Sequence, residues 1–367
     1  MREIGSYYYL TEGEIRRLLE DQRTLVWTPD VVQDVRLFSL GRDALAFCLD
    51  DISQNGATAL LPAFTSKSLV NAFIERDYRL VFYPIDEDMT VKTSVWNRLI
   101  EREAVDVVLF HPYYGFDTII QDEYPITEDV IYLYDGTHGW RGGLVYDFTD
   151  YAFCSLRNWG PLPDGAFASK REGHFIPEMP TEQDSELVRL MMHAYHMKAR
   201  YIDGGDGKRE DVIQAFGQVE EHIHQRTGAY RISDASMQLL CVWGHDHWRE
   251  ARAIQRRVNY RYLYEHADWS EIGTPVFEIR DEVPLFLPVM VKPGMRSFWY
   301  RELIKHGIYC APVWSKPEQL ELNKDMEAVA SIYENCLCFP IDQRYSVEDM
   351  HRIVAVIQDI GFKLKSK

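Results

Sequence analysis

The sequence contains no uninterrupted apolar run approaching the ~20 residues a helix needs to cross a bilayer. Its N-terminus, MREIGSYYYLTEGE, lacks the basic head and apolar stretch of a secretion signal. Both absences point to a soluble, cytoplasmic chain with no membrane partner. No internal period repeats along the 367 residues, so an elongated repeat array is excluded. Positive charge is in deficit: 40 Lys+Arg stand against 57 Asp+Glu, a formal net charge of -17. With no basic stripe to neutralise phosphates, a nucleic-acid partner is disfavoured, and the acidic surplus serves solubility. The six cysteines are scattered, and alternation puts Cys336 and Cys338 on one face of a strand-like run; they read as reduced, mostly buried thiols. Metal ligation is not expected either. HIH (222–224), HDH (245–247) and His193-x-x-His196 lack the carboxylate or cysteine that would complete a ligand set.

What is present is alternation of strand-like and helix-like segments. Between residues 40 and 170, apolar runs suited to strands occur at 57–63, 79–85, 106–112, 130–135, 151–156 and 165–169. Segments with helical spacing, RDALAFCLDDI, SLVNAFIERD and SVWNRLIERE, separate the early ones. The implied fold class is α/β, with a mostly parallel, doubly wound sheet. Long helices are expected over 183–226 and 233–267, the second carrying the basic stretch REARAIQRRVNYRYL. GGDGK (204–208) lacks the strand and glycine spacing of a phosphate loop and reads as a turn between helices. From residue 283, strands at 283–291, 308–314 and 336–341 alternate with helices near 297–306, 325–333 and from Ser346. The expected division is an N-terminal arm over 1–30, a large domain over 31–267 and a small α/β domain over 268–367.

Ligands of such sheets bind beyond the carboxyl ends of the strands. The stretch SLGRDALAFCL (39–49) places Gly41 and Arg42 at a helix start, where backbone N–H groups and the helix dipole suit a phosphate. LPAFTSKS and FHPYYGF are further strand-end turns, and YLYDGTHGW ends a strand in Asp135 with His138 three residues on. An acid so placed either pairs with a protonated heterocyclic nitrogen or caps a turn. The next strand end opens SLRNWGPLPDGAFASK, with Ser155 at its head.

The order GRDAL, LPAFTS, YLYDGTHG, SLRNWGPLPDGAF resembles the DegT/DnrJ/EryC1/StrS aminotransferases, which use pyridoxal phosphate (PLP). GAYRIS (228–233) is similar to that family's Gly-Tyr-Asn-Tyr-Arg-Met-Ser segment, and LCFPIDQRYSVEDMHRIV looks like its C-terminal strand and helix, so the resemblance covers nearly the whole chain. It implies a PLP-dependent transferase of fold type I, with a seven-stranded large-domain sheet. It also implies a homodimer with the active site at the interface and GAYRIS in the partner's site, and a small-molecule substrate. The amides around Gly41 and Arg42, with Ser155, would hold the cofactor phosphate. Asp135 would pair with the pyridine nitrogen, His138 would lie beside the ring, and Asn158 would take the place of the Schiff-base lysine, since relatives read Ser-x-Arg-Lys-Trp/Phe before the Pro-x-Pro-Asp-Gly turn. Two other positions depart from the family: Ser66 follows Thr65 where a ring-stacking aromatic is usual, and Ala229 stands near the place of a phosphate-binding asparagine.

Asparagine can neither form the covalent bond nor move a proton, so ordinary transamination should fail. Four explanations stay open: a pseudoenzyme or scaffold subunit; use of non-covalently bound PLP or pyridoxamine phosphate (PMP); a lysine supplied from elsewhere, Lys67 or Lys170 being nearest in sequence; or a substitution that traps a complex. Arg231, Trp314 and Arg344 are candidate substrate contacts.

Overall fold

The structure is a computed structural model that describes residues 3–11, 13, 33–52, 56–122, 127–139, 146–202, 207–243, 246–310, 312 and 314–365. Of the arm expected over 1–30, only residues 3–11 and 13 are among these. In chain order the strands are β1 (Ile4–Gly5), β2 (Asp34–Phe38), β3 (Thr58–Pro62), β4 (Arg79–Tyr83), β5 (Val91–Lys92), β6 (Val107–Phe110) and β7 (Ile119–Ile120). They continue with β8 (Ile131–Asp135), β9 (Tyr151–Ser155), β10 (Ala166–Lys170), β11 (Gly273–Pro275), β12 (Leu287–Val291), β13 (Ile308–Tyr309) and β14 (Cys336–Phe339). The helices are α1 (Gly41–Ile52), α2 (Lys67–Ile74), α3 (Thr93–Glu103), α4 (Ser185–Ile202) and α5 (Arg209–Gln225). Then come α6 (Asp234–Trp243), α7 (Asp246–His266), α8 (Arg296–Lys305), α9 (Glu327–Asn335) and α10 (Val347–Lys365). Seven strands form one sheet in the order β2-β10-β9-β8-β6-β3-β4. The α/β class and mostly parallel seven-stranded sheet expected from the sequence are what the fold contains.

By internal contacts the chain divides into two compact units that interleave in sequence. The first comprises 1–6, 54–149 and 250–367, and the second 7–53 and 150–249. In the first unit β3 pairs in parallel with β4 and β6, and β6 with β8. Strands covered on both faces need apolar residues at every position, and all of β3 and β6 is buried. The same unit holds the antiparallel sheet β11-β12-β14 and the parallel pairs β1-β13 and β5-β7. In the second unit β10 runs antiparallel to β2 and β9. Helix α1 buries Ala44, Leu45, Cys48, Leu49 and Ile52, a helical stripe, and the Asp43 carboxylate accepts the Leu40 N–H at 3.2 Å to close its first turn.

The helices of 183–226 end and resume on either side of the turn expected from GGDGK, of which 204–206 lie outside the described residues, whereas no break was expected within 233–267. Residues 183–226 hold two helices, α4 and α5, packed on each other. Gly207 explains where the second can begin: a Cβ there would come within 2.6 Å of the Tyr201 nitrogen, so only glycine lets the returning chain cross the end of α4. Likewise 233–267 holds α6 and α7. Of the strand expected over 308–314, among the described residues Ile308–Tyr309 pairs with β1, and 311 and 313 lie outside them; Pro312 lacks the N–H a continued ladder needs. All six cysteines are free thiols, five of them buried. Among the described residues, no helix is long and apolar enough to cross a membrane, and no group of three His, Cys, Asp or Glu could hold a metal ion.

Candidate active site

The predicted residues fall in both units and are described unit by unit. In the first, β8 ends in Asp135, whose side chain accepts the Thr137 N–H at 2.9 Å. The residue is 6% exposed, and burial pushes its carboxyl up to about 6. Among the described residues it forms no ion pair. Such a carboxyl is short of a cation, and a protonated ring nitrogen would supply one.

His138 is buried three residues on, and desolvation pushes it down to about 3. The Tyr114 N–H donates to its Nδ1 at 3.4 Å, a geometry that leaves the proton of the neutral ring on Nε2. Tyr114 lies in the left-handed region (φ 55°), and Gly115 after it has φ 97°. A Cβ on Gly115 would overlap the Val283 carbonyl, so the HPYYGF turn requires glycine. Leu285 N–H donates to the Tyr114 carbonyl at 2.6 Å and holds the turn from the other side.

The strand register brings in a residue the sequence had not marked. Phe110 of β6 lies opposite Tyr134 of β8, so His111 follows β6 at the level of Asp135. It too is buried, and desolvation pushes it down to about 4. The signal was available in the sequence: FHP and LYD are the ends of successive parallel strands.

Trp314 closes the cluster. Its ring stacks on His138 with centroids 5.0 Å apart and planes 3° apart, and meets His111 at 5.4 Å and Phe64 at 5.1 Å. Of the three candidate substrate contacts, it is the one that reaches a predicted site residue. Arg231 donates to the Thr181 and Ile232 carbonyls and to Asp234. Arg344 donates to Asp342 and to the Ser6 carbonyl.

The LPAFTS turn behaves in two ways. Ser66 caps α2, accepting the Leu69 N–H at 3.3 Å, so its side chain works for the helix. Thr65 is fully buried: its N–H donates to the Tyr333 hydroxyl at 2.9 Å, while its Oγ1 has no hydrogen-bond partner among the described residues. A buried hydroxyl without a partner is uncommon and costs roughly 1–3 kcal/mol unless a ligand satisfies it.

In the second unit, Gly41 opens α1 against the end of β9, and a Cβ on it would meet the Ser155 Cβ at 3.1 Å. This close approach sets the backbone of the helix start beside Ser155. The Arg42 side chain turns elsewhere, donating to the Ile223 carbonyl at 2.6 Å, so any part it takes in holding an anion falls to its amide. Asn158 lies in the short 3-10 turn Leu156–Trp159. Leu156 and Trp159 are buried and anchor the turn, and the Leu156 N–H donates to the Gly165 carbonyl at 3.0 Å, leaving Asn158 exposed within its unit. Beyond it Asp164 fixes the Pro-Leu-Pro-Asp-Gly turn to GAYRIS, accepting from Ser233 N (3.0 Å), Ser233 Oγ (2.6 Å) and Ser236 Oγ (2.5 Å).

The two lysines considered as substitutes are engaged elsewhere. Lys170 pairs with Tyr151 at the far end of β9 from Ser155, four residues or ~13 Å along the strand, and its Nζ lies 2.7 Å from Asp51. Lys67 is half-exposed, in an ion pair of 3.5 Å with Glu318.

No family model matches the sequence, and no curated protein does. Solved structures do. PseC of Helicobacter pylori, described as an aminotransferase of pseudoaminic acid biosynthesis, matches with a TM-score of 0.65 at 13% identity, over 98% of this chain and 99% of its own. A DegT DnrJ EryC1 StrS aminotransferase from Brucella abortus matches with a TM-score of 0.61 at 14% identity, over 95% and 94%. Spr1654 of Streptococcus pneumoniae, in its PMP form, matches with a TM-score of 0.65 at 14% identity, over 99% and 100%. The chain therefore has the fold of the DegT/DnrJ/EryC1/StrS-type aminotransferases over its full length. Identities this low establish fold and no more.

Proposed function

We propose that the protein binds PLP or PMP without a covalent tether, as an aminotransferase-like protein whose partner compound is a small amino or keto molecule, such as a nucleotide-linked keto sugar. The observation that carries this reading is Asp135, a buried carboxyl at a strand end with no cation among the described residues. The unpartnered Thr65 Oγ1 of the same unit fits a bound polar ligand as well. When bound, the cofactor supplies an electron sink. The chain's own part in the first unit is to hold the ring nitrogen's proton through Asp135 and to keep a neutral imidazole, His138, beside the ring. Asn158 contributes neither nucleophile nor base. The homodimer implied by the sequence resemblance belongs to the same reading.

A binding or scaffold role of the same fold is the second reading. It is favoured by the places of Lys170 and Lys67, one in an ion pair at the far strand end and the other half-exposed on a helix.

The test is titration of purified protein with PMP and with PLP, followed by cofactor absorbance and Trp fluorescence. PMP should bind saturably, and Asp135→Ala should weaken it by at least about tenfold, the loss of one charge-assisted hydrogen bond. Asn158→Lys with PLP should give an adduct that borohydride fixes to the protein, where the wild type gives none. Failure of both cofactors to bind would sink the reading.

A further inference from the structure

The basic stretch of α7, which the proposed function leaves unused, lines a small depression in the first unit. Arg257 and Arg261, one helical turn apart, form one wall together with Tyr260, and Arg280 lines it from the segment before β12. Phe116 and Asp281 also line it. Among the described residues none of the three arginines forms an ion pair, in a chain whose formal charge is -17. Three guanidiniums against one carboxylate make the lining net positive.

The walls are built rather than incidental. Arg256, 2% exposed on the same helix, donates to the Pro284 and Leu285 carbonyls at 3.1 and 3.0 Å and to Gln343 at 2.7 Å. Arg257 Nε donates to the Glu282 carbonyl at 3.3 Å. Tyr260 donates to the Phe277 carbonyl at 2.6 Å, and Arg280 lies 5.9 Å from the Phe277 ring. The segment 277–285 is thus tied to α7 at several points, which fixes where the guanidiniums converge.

We propose that this depression is a binding site for a phosphoryl group, the doubly charged anion whose charge and geometry match forked guanidinium donors. The group comes either as free inorganic phosphate or as the phosphate of a nucleotide. The inference does not depend on the cofactor reading, because it uses none of the residues assigned to PLP or PMP.

Calorimetric titration of the full chain at low ionic strength, with inorganic phosphate and with uridine diphosphate, tests it. Saturable binding is expected. Arg261→Gln, an exposed substitution, should weaken it about tenfold. Asp281→Asn should tighten it several-fold by removing the opposing charge, a gain that damaged folding cannot imitate. Whichever probe binds the tighter names the source. Saturable binding by neither probe overturns the proposal, and so does binding that is the same in both variants as in the wild type, since that anion would lie elsewhere, such as the Gly41 turn.

Discussion

Asp135 is held where its charged form is poorly solvated, and this has a consequence that can be measured without any cofactor. Burial raises its pKa from 3.8 to about 6, so folding favours the protonated carboxyl. Its contribution to stability is fully present below pH 3.8 and is lost as pH rises through about 6. At pH 8 the buried carboxylate should cost on the order of 2–3 kcal/mol, from about 1.4 kcal/mol per pKa unit. Asp135→Asn keeps the oxygen that accepts the Thr137 N–H and removes the charge. Urea unfolding should therefore find the variant more stable than wild type at pH 8 by up to that amount, and the difference should vanish by pH 4. Equal stability at both values would mean that the wild-type carboxylate already has a compensating partner. The residue itself was legible in the sequence, because an acid closing an apolar run is a local signal. Trp314 was legible only as one of three candidates, since its stack on His138 joins positions 176 residues apart in sequence.

At the scale of elements, three helix ends meet at one arginine. Arg226, just beyond α5, has a side chain only 2% exposed. It is hydrogen-bonded to Asp43 in the first turn of α1, and its Nη1 lies 3.5 Å from Asp184. Asp184 in turn accepts the Leu187 N–H at 2.9 Å at the start of α4 and lies 3.0 Å from His222 Nε2. Removing the cation would take the ion pair from the buried Asp43 carboxylate and leave Asp184 to His222, a defect typically worth about 3–5 kcal/mol. Arg226→Ala should lower the urea midpoint accordingly at neutral pH, whereas Arg189→Ala, on an exposed pair, should change it by less than about 1 kcal/mol. Similar losses would show that the network contributes no more than a surface pair. None of this network could be read from the sequence, where HIH was weighed only as a metal-ligand candidate and set aside and Arg226 was not singled out. Strand and helix periods are local, so β3, β6, β8, β9 and α1 were placed within a residue or two. Pairings between positions 43, 184 and 226 are not local, and no spacing rule encodes them. The break between α4 and α5 was legible in GGDGK, whereas the one between α6 and α7 was not, because apolar spacing continues on both sides of it.

For the whole molecule the dominant physical fact is the charge of -17. It was read as a solubility feature, but it also sets a dependence on salt whose sign can be worked out. Like charges repel more in the folded chain than in the expanded one, so screening should favour folding. The Debye length falls from about 30 Å at 0.01 M salt to about 10 Å at 0.1 M, short enough to quench most of the long-range repulsion. Exposed ion pairs such as Lys363–Asp359 and Lys305–Glu302 weaken under the same change, but each is worth less than about 1 kcal/mol and they act locally. The buried links, Arg226 with Asp43 and Lys170 with Asp51, lie largely beyond the reach of screening. The surplus should prevail. The thermal midpoint measured by calorimetry should rise between 0.01 and 0.1 M sodium chloride. Sodium phosphate matched in ionic strength should raise it further if the arginines of α7 bind phosphate, since a ligand of the folded state adds to the screening. A midpoint that falls with chloride would mean that the acidic surplus is already neutralised by attractive pairs at close range, and that the net charge is a poor guide to the forces on this fold.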